Sequence, residues 1–297
     1  MRRLGMILLA AGLIVAALGP TGPAALRGQE EKPIPKVKLN EAAMEKLGWR
    51  LASQAYTFRK LSLFETIDLL SAMGIRYIEL YPGQRFSPQH GDLKHDHNLP
   101  AERVDELIAK LQSANVTPVL YGVVGLPNDE AKCRAVFEYA KKLKLEGIVS
   151  EPPSAAIGLI DKLAAEYGIP VAIHNHPQPS HYWNPDAVLE ATKDAKHIAA
   201  CADIGHWRRS DLAPAESIKK LEGKIISLHV KDIDENKHDV VWGTGKVDVR
   251  AVLEELKRQG GKYIFSIEYE ATEGDELIAN VAKSVGFFNS VVTDLAK

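Results

Sequence analysis

Short apolar runs, each stopped by a polar or charged residue, alternate along this chain with longer stretches in which apolar residues recur every three or four positions. Continuous short runs read as strands buried on both faces, and the wider spacing reads as amphipathic helices. The strand-like runs are residues 51–58, 75–81, 117–124, 147–150, 169–173, 198–202, 225–228 and 263–267. Between them lie helix signals. Ser62-Leu-Phe-Glu65 is a capping box, and the helix it opens stops at Gly74. Pro100 stands where a second helix starts. Asn128 opens a third helix, running to about Leu145, and a fourth covers Ser154–Tyr167 before Gly168. Asn184-Pro185 starts a fifth; Pro214–Leu221, Val249–Gln259 and Asp275–Ala296 complete the set. Eight strand–helix units with no second domain predict an α/β fold, a single (β/α)8 TIM barrel over residues 48–297. An open doubly wound sheet would need a glycine-rich loop after the first strand, and Tyr56-Thr-Phe-Arg-Lys60 is not one.

The N-terminus has another pattern. Arg2 and Arg3 precede the apolar run Leu4–Leu18; Gly19-Pro20 and a stretch of small residues to Gly28 come next. This is the layout of a signal peptide over residues 1–28, too short for a membrane span, so export to the periplasm or the cell exterior is expected. Residues 29–47, which include Glu-Glu-Lys-Pro-Ile-Pro-Lys, read as a leader segment. A hydrophobic content of 45% with 26% charged residues describes an ordinary globular chain, and a formal charge of −2 supplies no footprint for nucleic acid. No membrane contact is expected beyond the signal segment. Cys133 falls in a helix and Cys201 in mid-strand, so both are expected as separate core thiols.

The chemistry is expected where the strands stop. Strands four to eight end in Glu151, in His174 and His176, in Asp203 and His206, in His229, and in Glu268. In a closed barrel these ends converge on one axis, and catalytic groups sit there. Clustered carboxylates repel one another unless a cation joins them. Mixed oxygen and nitrogen donors without thiolate suit Mn²⁺, Co²⁺, Zn²⁺ or Mg²⁺. Asp203 also reads as the N-cap of a helix after the sixth strand. His90, His95, His97, His181, His197 and His238 are expected at the surface. Tyr56, Tyr81, Trp183, Trp207 and Trp242 stand near strand mouths, where aromatic rings stack on sugars. The polar loop Gln84–Leu99 is a lid candidate by length and polarity alone.

Four segments carry a resemblance: Ala202-Asp-Ile-Gly-His206, Leu228-His-Val-Lys-Asp232, Gly243-Thr-Gly-Lys-Val-Asp248 and Ile267-Glu268. Over residues 48–297 the chain resembles the xylose isomerase-like barrel superfamily, which holds sugar isomerases and epimerases, related dehydratases and keto-sugar enzymes, and the apurinic endonuclease type. The resemblance implies one divalent metal held by Asp203, His229 and Glu268, with His206, Lys231 and the neighbouring Trp207 at the substrate. It also implies a sugar or keto-sugar substrate and self-association of barrels. Epimerases of the superfamily carry a glutamate at the end of strand five; here that end reads Ile173-His174-Asn175-His176. Glu151, one strand earlier, is expected to replace it as ligand and acid–base group, with His174 as a further ligand and His176 towards the substrate, or the reverse. The implied activity is a metal-dependent sugar isomerase or epimerase, with Glu268 moving a proton next to a carbonyl through an enediolate. The missing strand-five glutamate and the expected export favour the alternative, a lyase or dehydratase acting on keto-sugars or 3-keto-glycosides. A non-catalytic sugar-binding barrel is the reading from a different class.

Overall fold

The computed structural model of the protein describes residues 33–297. The expected signal peptide lies outside these residues, as does the start of the leader. Eight parallel strands form a closed barrel: β1 (Trp49–Gln54), β2 (Tyr77–Leu80), β3 (Thr117–Tyr121), β4 (Gly147–Ser150), β5 (Val171–His174), β6 (Ile198–Asp203), β7 (Ile225–Val230) and β8 (Tyr263–Ile267). Consecutive strands pair side by side, and β1 closes the ring on β8.

Among the described residues, ten helices accompany them: α1 (Glu41–Leu47), α2 (Leu63–Met73), α3 (Ala101–Ala114), α4 (Glu130–Lys142), α5 (Ile157–Tyr167), α6 (Pro185–Thr192), α7 (Ile204–Arg209), α8 (Pro214–Lys220), α9 (Val249–Gln259) and α10 (Gly274–Leu295). Helix α1 falls inside the leader. Asn40 caps it, and the Asn40 N–H donates to Asn289 Oδ1 on α10 at 2.6 Å, tying this segment to the last helix. The capping box at Ser62 and Glu65 forms as the sequence predicts.

One local difference from the sequence reading has a plain cause. The first strand stops at Gln54 rather than Phe58, because the Gln54 side chain accepts from the Tyr56 N–H at 3.1 Å and starts a 3₁₀ turn over Ala55–Phe58. Helix α7 continues directly from β6 and is capped by Asp203 as the sequence predicts, Oδ1 accepting from the His206 N–H at 2.7 Å.

The core has two parts. Inside the barrel, Ala52, Val119, Leu120, Val149, Ala172, Cys201 and Ile264 fill the axis; the two alanines and the cysteine keep it narrow. Outside, larger residues such as Leu70, Leu107, Phe137, Ile160 and Phe288 pack between strands and helices. Cys133 and Cys201 are both buried and free, as expected.

The loop Gln84–Leu99 is stitched down. Phe86 N–H donates to Leu93 O at 2.8 Å, and His95 N–H donates to Gln84 O at 2.8 Å. His95, expected at the surface, has no exposed area. Its Nδ1–H donates to Tyr81 O at 2.8 Å, and the Tyr139 hydroxyl donates to Nε2. Burial therefore pushes its pKa from 6.5 down to about 4, against a smaller upward pull from the Tyr81 carbonyl. Unfolded, this imidazole protonates below about 6.5; folded, it stays neutral to about 4. The stability it lends is present above pH 6.5 and drains as pH falls towards 4, by about 3 kcal/mol in all. Urea unfolding of native protein and His95→Gln should show a stability gap that narrows between these pH values; a gap independent of pH would refute the assignment.

Candidate metal centre and active site

Four adjacent strands each deliver one donor to the same point. His174 and Asp203 are the last residues of β5 and β6, His229 is the penultimate residue of β7, and Glu268 comes directly after β8. Asp203 and His229 are paired in register, which sets them side by side. One donor atom of each of the four lies within 4.8 Å of the others'. His174 Nε2, Asp203 Oδ2, His229 Nδ1 and Glu268 Oε2 are all buried and face one another: His229 Nδ1 lies 2.7 Å from Glu268 Oε2, and His174 Nε2 lies 3.6 Å from Asp203 Oδ2. Two nitrogens and two carboxylate oxygens gathered at one point fit a divalent cation of the Mn²⁺, Co²⁺, Zn²⁺ or Mg²⁺ type.

Three of these residues are held from behind, and that hold aims their donor atoms. His174 Nδ1 lies 2.8 Å from Glu151 Oε1, and His229 Nε2 lies 2.9 Å from Glu79 Oε1. Asn175 clamps the Asp203 backbone, donating to its carbonyl at 2.9 Å and accepting from its N–H at 2.8 Å. Asp203 is thus both the helix cap and a donor at the site: Oδ1 does the first, Oδ2 the second.

Glu151 stands one step behind the four. Its Oε1 accepts from His174, from the His176 backbone N–H at 3.2 Å and from His176 Nδ1, and its Oε2 accepts from Ser180 Oγ at 3.0 Å. Burial would raise its pKa, but the hydrogen bonds from the two imidazoles hold it well below the usual carboxylate range. His176 itself is half-exposed and lines the cavity at the barrel mouth.

Lys231 is wholly buried. Its ammonium lies 2.8 Å from Glu268 Oε2, 2.8 Å from Glu270 Oε1 and 3.5 Å from Asp203 Oδ2. Burial opposes its charge, but these carboxylates and Asp239 raise its pKa above the ordinary lysine value. Burial likewise disfavours the charges on Asp203 and Glu268, yet the Lys231 ammonium and the imidazoles keep both well below the usual carboxylate range. Gly205 makes room for this arrangement: a Cβ there would meet Lys231 Cβ at 2.4 Å. Lys231 therefore faces the carboxylates and is absent from the cavity wall. Trp207, expected at the substrate, has no exposed surface and is absent from that wall too.

His206 accepts from Arg209 Nη1 at Nδ1 over 3.0 Å, and Arg209 in turn pairs with Asp239. Burial and then the nearby Lys231 charge push its pKa well below the ordinary value, despite the pull of Asp203. The neutral ring then carries its proton on Nε2.

Above these groups lies a cavity of about 400 Å³. Tyr56, Tyr81, Pro82 and Val123 form one wall; His176, His206, Glu268 and Glu270 form the other. A larger cavity, about 710 Å³, opens at the N-terminal end of the barrel around Trp49, Arg50 and Lys262. Its charged pair, Arg50 and Glu146, is already mutually satisfied, so the smaller cavity is the chemically competent one.

The loop after β7 is fastened by Asp232, which accepts from the N–H groups of Ile233, Gly243, Gly245 and Val247 at 2.9–3.0 Å. A Cβ at Gly245 would meet Asp232 Oδ1 at 2.3 Å. The Gly243-Thr-Gly245 segment thus binds a carboxylate of its own chain.

The sequence reading passed over Glu79, Asn175, Arg209, Asp239 and Glu270. Glu79 carried a signal: it is the one acid inside the apolar run 75–81. Removing the Lys231 charge leaves buried carboxylates unpaired. Lys231→Met is expected to cost about 3–5 kcal/mol of stability, read as a shift in urea unfolding; a midpoint within error of native would contradict the pairing.

The family model for the xylose isomerase-like TIM barrel matches residues 154–291. An uncharacterized protein from Parabacteroides distasonis is similar at 30% identity, covering 81% of this chain and 98% of that one, with a TM-score of 0.67. A D-tagatose 3-epimerase-like protein shares 20% identity over 83% of this chain and 98% of that one, with a TM-score of 0.65. The IOLI protein, solved with a bound zinc atom, shares 20% identity over 82% and 98%, with a TM-score of 0.62. At 20% identity these last two establish the fold. No curated protein sequence matches the chain.

Proposed function

The chain belongs to the xylose isomerase-like TIM barrel family, and we propose that it is a divalent-metal-dependent sugar isomerase or epimerase that shifts a proton next to a carbonyl through an enediolate. One observation carries this reading: four buried donor atoms, two nitrogens and two carboxylate oxygens, converge beneath a cavity whose walls differ in polarity. His174, Asp203, His229 and Glu268 would hold the cation. When bound, it would polarise a substrate carbonyl and its adjacent hydroxyl and acidify the C–H between them.

The chain's own residues supply the rest. Glu268, kept anionic by Lys231, lines the cavity and is the base that takes the C–H proton. His206 offers its Nε2–H to a substrate oxygen as a neutral donor. Tyr56 and Tyr81, at 5.2 Å and nearly perpendicular, present apolar surface to the C–H face of a sugar ring.

A second reading is favoured by His174. An imidazole stands at the end of β5, where a two-carboxylate epimerisation would place its second acid. A lyase or dehydratase acting on keto-sugars needs one base next to the carbonyl and a leaving group beyond it, and His176 or Glu270 on the cavity wall is placed to serve that group.

Reconstituted protein is expected to hold about one divalent ion per chain, lost when Asp203→Asn and Glu268→Gln are combined. Ketoses and 3-keto-glycosides in D₂O are then screened by proton NMR for exchange next to the carbonyl. Glu268→Gln is expected to slow that exchange roughly 100-fold or more. Metal binding without exchange on any of these compounds would move the protein to a sugar-binding role, and no metal after reconstitution would end the metalloenzyme reading.

A further inference from the structure

Glu79 belongs to no part of the cavity wall, yet it is one of the most deeply buried acids in the chain. It lies on β2, across the barrel from the donors, and has no exposed surface. Oε1 is 2.9 Å from His229 Nε2, and Oε2 accepts from the Ser266 hydroxyl on β8. Ser266 and His229 are paired in register, so the carboxylate reaches two neighbouring strands from a third. Among the described residues, no lysine or arginine forms an ion pair with it; His229 is its ion-pair partner. A carboxylate buried with so little cationic support is costly unless its hydrogen bonds matter.

The two histidines of the site are wired in opposite senses. His174 faces Glu151 through Nδ1 and turns Nε2 to the site, 3.6 Å from Asp203 Oδ2; His229 faces Glu79 through Nε2 and turns Nδ1 to the site, 2.7 Å from Glu268 Oε2. An imidazole that ligates a metal has one N–H, and a carboxylate accepting at one nitrogen keeps the proton there and leaves the other nitrogen as the ligand. His174 ends its strand at the barrel mouth, so its acid partner comes from the neighbouring strand end. The far nitrogen of His229 is met instead by Glu79, which reaches it from β2.

We propose that Glu79 is a positioning residue of the metal centre: it holds the proton on His229 Nε2, turns Nδ1 towards the other three donors and strengthens that nitrogen as a ligand. The proposal rests on the metal reading above. Acid partners of this kind typically change metal affinity roughly 10- to 100-fold.

The test uses the chain with ¹⁵N-labelled histidine, loaded with Zn²⁺, which is diamagnetic. Long-range ¹H–¹⁵N spectra are expected to show His229 protonated at Nε2 and coordinated through Nδ1, and His174 the reverse. Glu79→Gln is expected to weaken zinc binding, measured by competition with a chelating dye, by roughly 10- to 100-fold. His229 bound through Nε2, or Glu79→Gln binding zinc as tightly as native, overturns the proposal while leaving the metal centre standing. Native protein that binds no zinc overturns the metal reading and the positioning role with it. The native spectra decide the matter even where Glu79→Gln does not fold.

Discussion

The structure turns on how negative charge is accommodated at the C-terminal mouth of the barrel. Asp203, Glu268 and Asp239 are buried close together, with Glu270 beside them on the cavity wall and Glu79 and Glu151 just behind. Lys231 is the fixed countercharge for the first group, and Arg209 supports it through Asp239. Such charges are tolerated only when paired and hydrogen-bonded. The donor atoms of His174, Asp203, His229 and Glu268 face one another beside the Lys231 ammonium.

Much of the local backbone serves this arrangement. Gly205 lets β7 approach α7 so that the Lys231 stem can pass. Asp232, next in sequence, turns away from the site and gathers four backbone N–H groups, which fixes the long loop after β7. Adjacent residues thus divide two tasks: Lys231 holds the carboxylates, and Asp232 holds the chain. Burial raises the pKa of Asp232, against the pull of the same N–H groups. The narrow interior beneath, built on Ala52, Ala172 and Cys201, leaves space for the Glu79 and His229 side chains to meet inside the barrel.

The fold and the donors were legible in the sequence for one reason: buried parallel strands are apolar until they end, so a polar residue at the end stands out. His174, Asp203, His229 and Glu268 were all found in this way. What stayed hidden was depth. Lys231 and Trp207 follow strand ends and read as substrate groups, yet neither reaches the cavity wall, because a side chain's direction after a strand depends on the next turn. Glu79 sits inside an apolar run, where a lone acid reads as an interruption rather than as a partner for a strand three positions around the barrel. His95 lies in a polar loop that composition marks as exposed, and only its bonds to Tyr81 and Tyr139 bury it.

The departure at β5 obeys the same logic of charge. Two imidazoles and two carboxylates balance a divalent cation, whereas a carboxylate at position 174 would add a further negative charge beside Asp203. That site would also lose the reason for Glu151, whose carboxylate is oriented by the two histidines of β5 and its loop. His174, Glu151 and His176 therefore form a unit, and changing the first would require changing the others. With that unit in place, Glu268 is the donor of the four that combines a carboxylate, a position on the cavity wall and a neighbouring cation that keeps it ionised. A carboxylate base beside the His206 imidazole is suited to moving one proton and then passing it on, to the next carbon or to a departing oxygen.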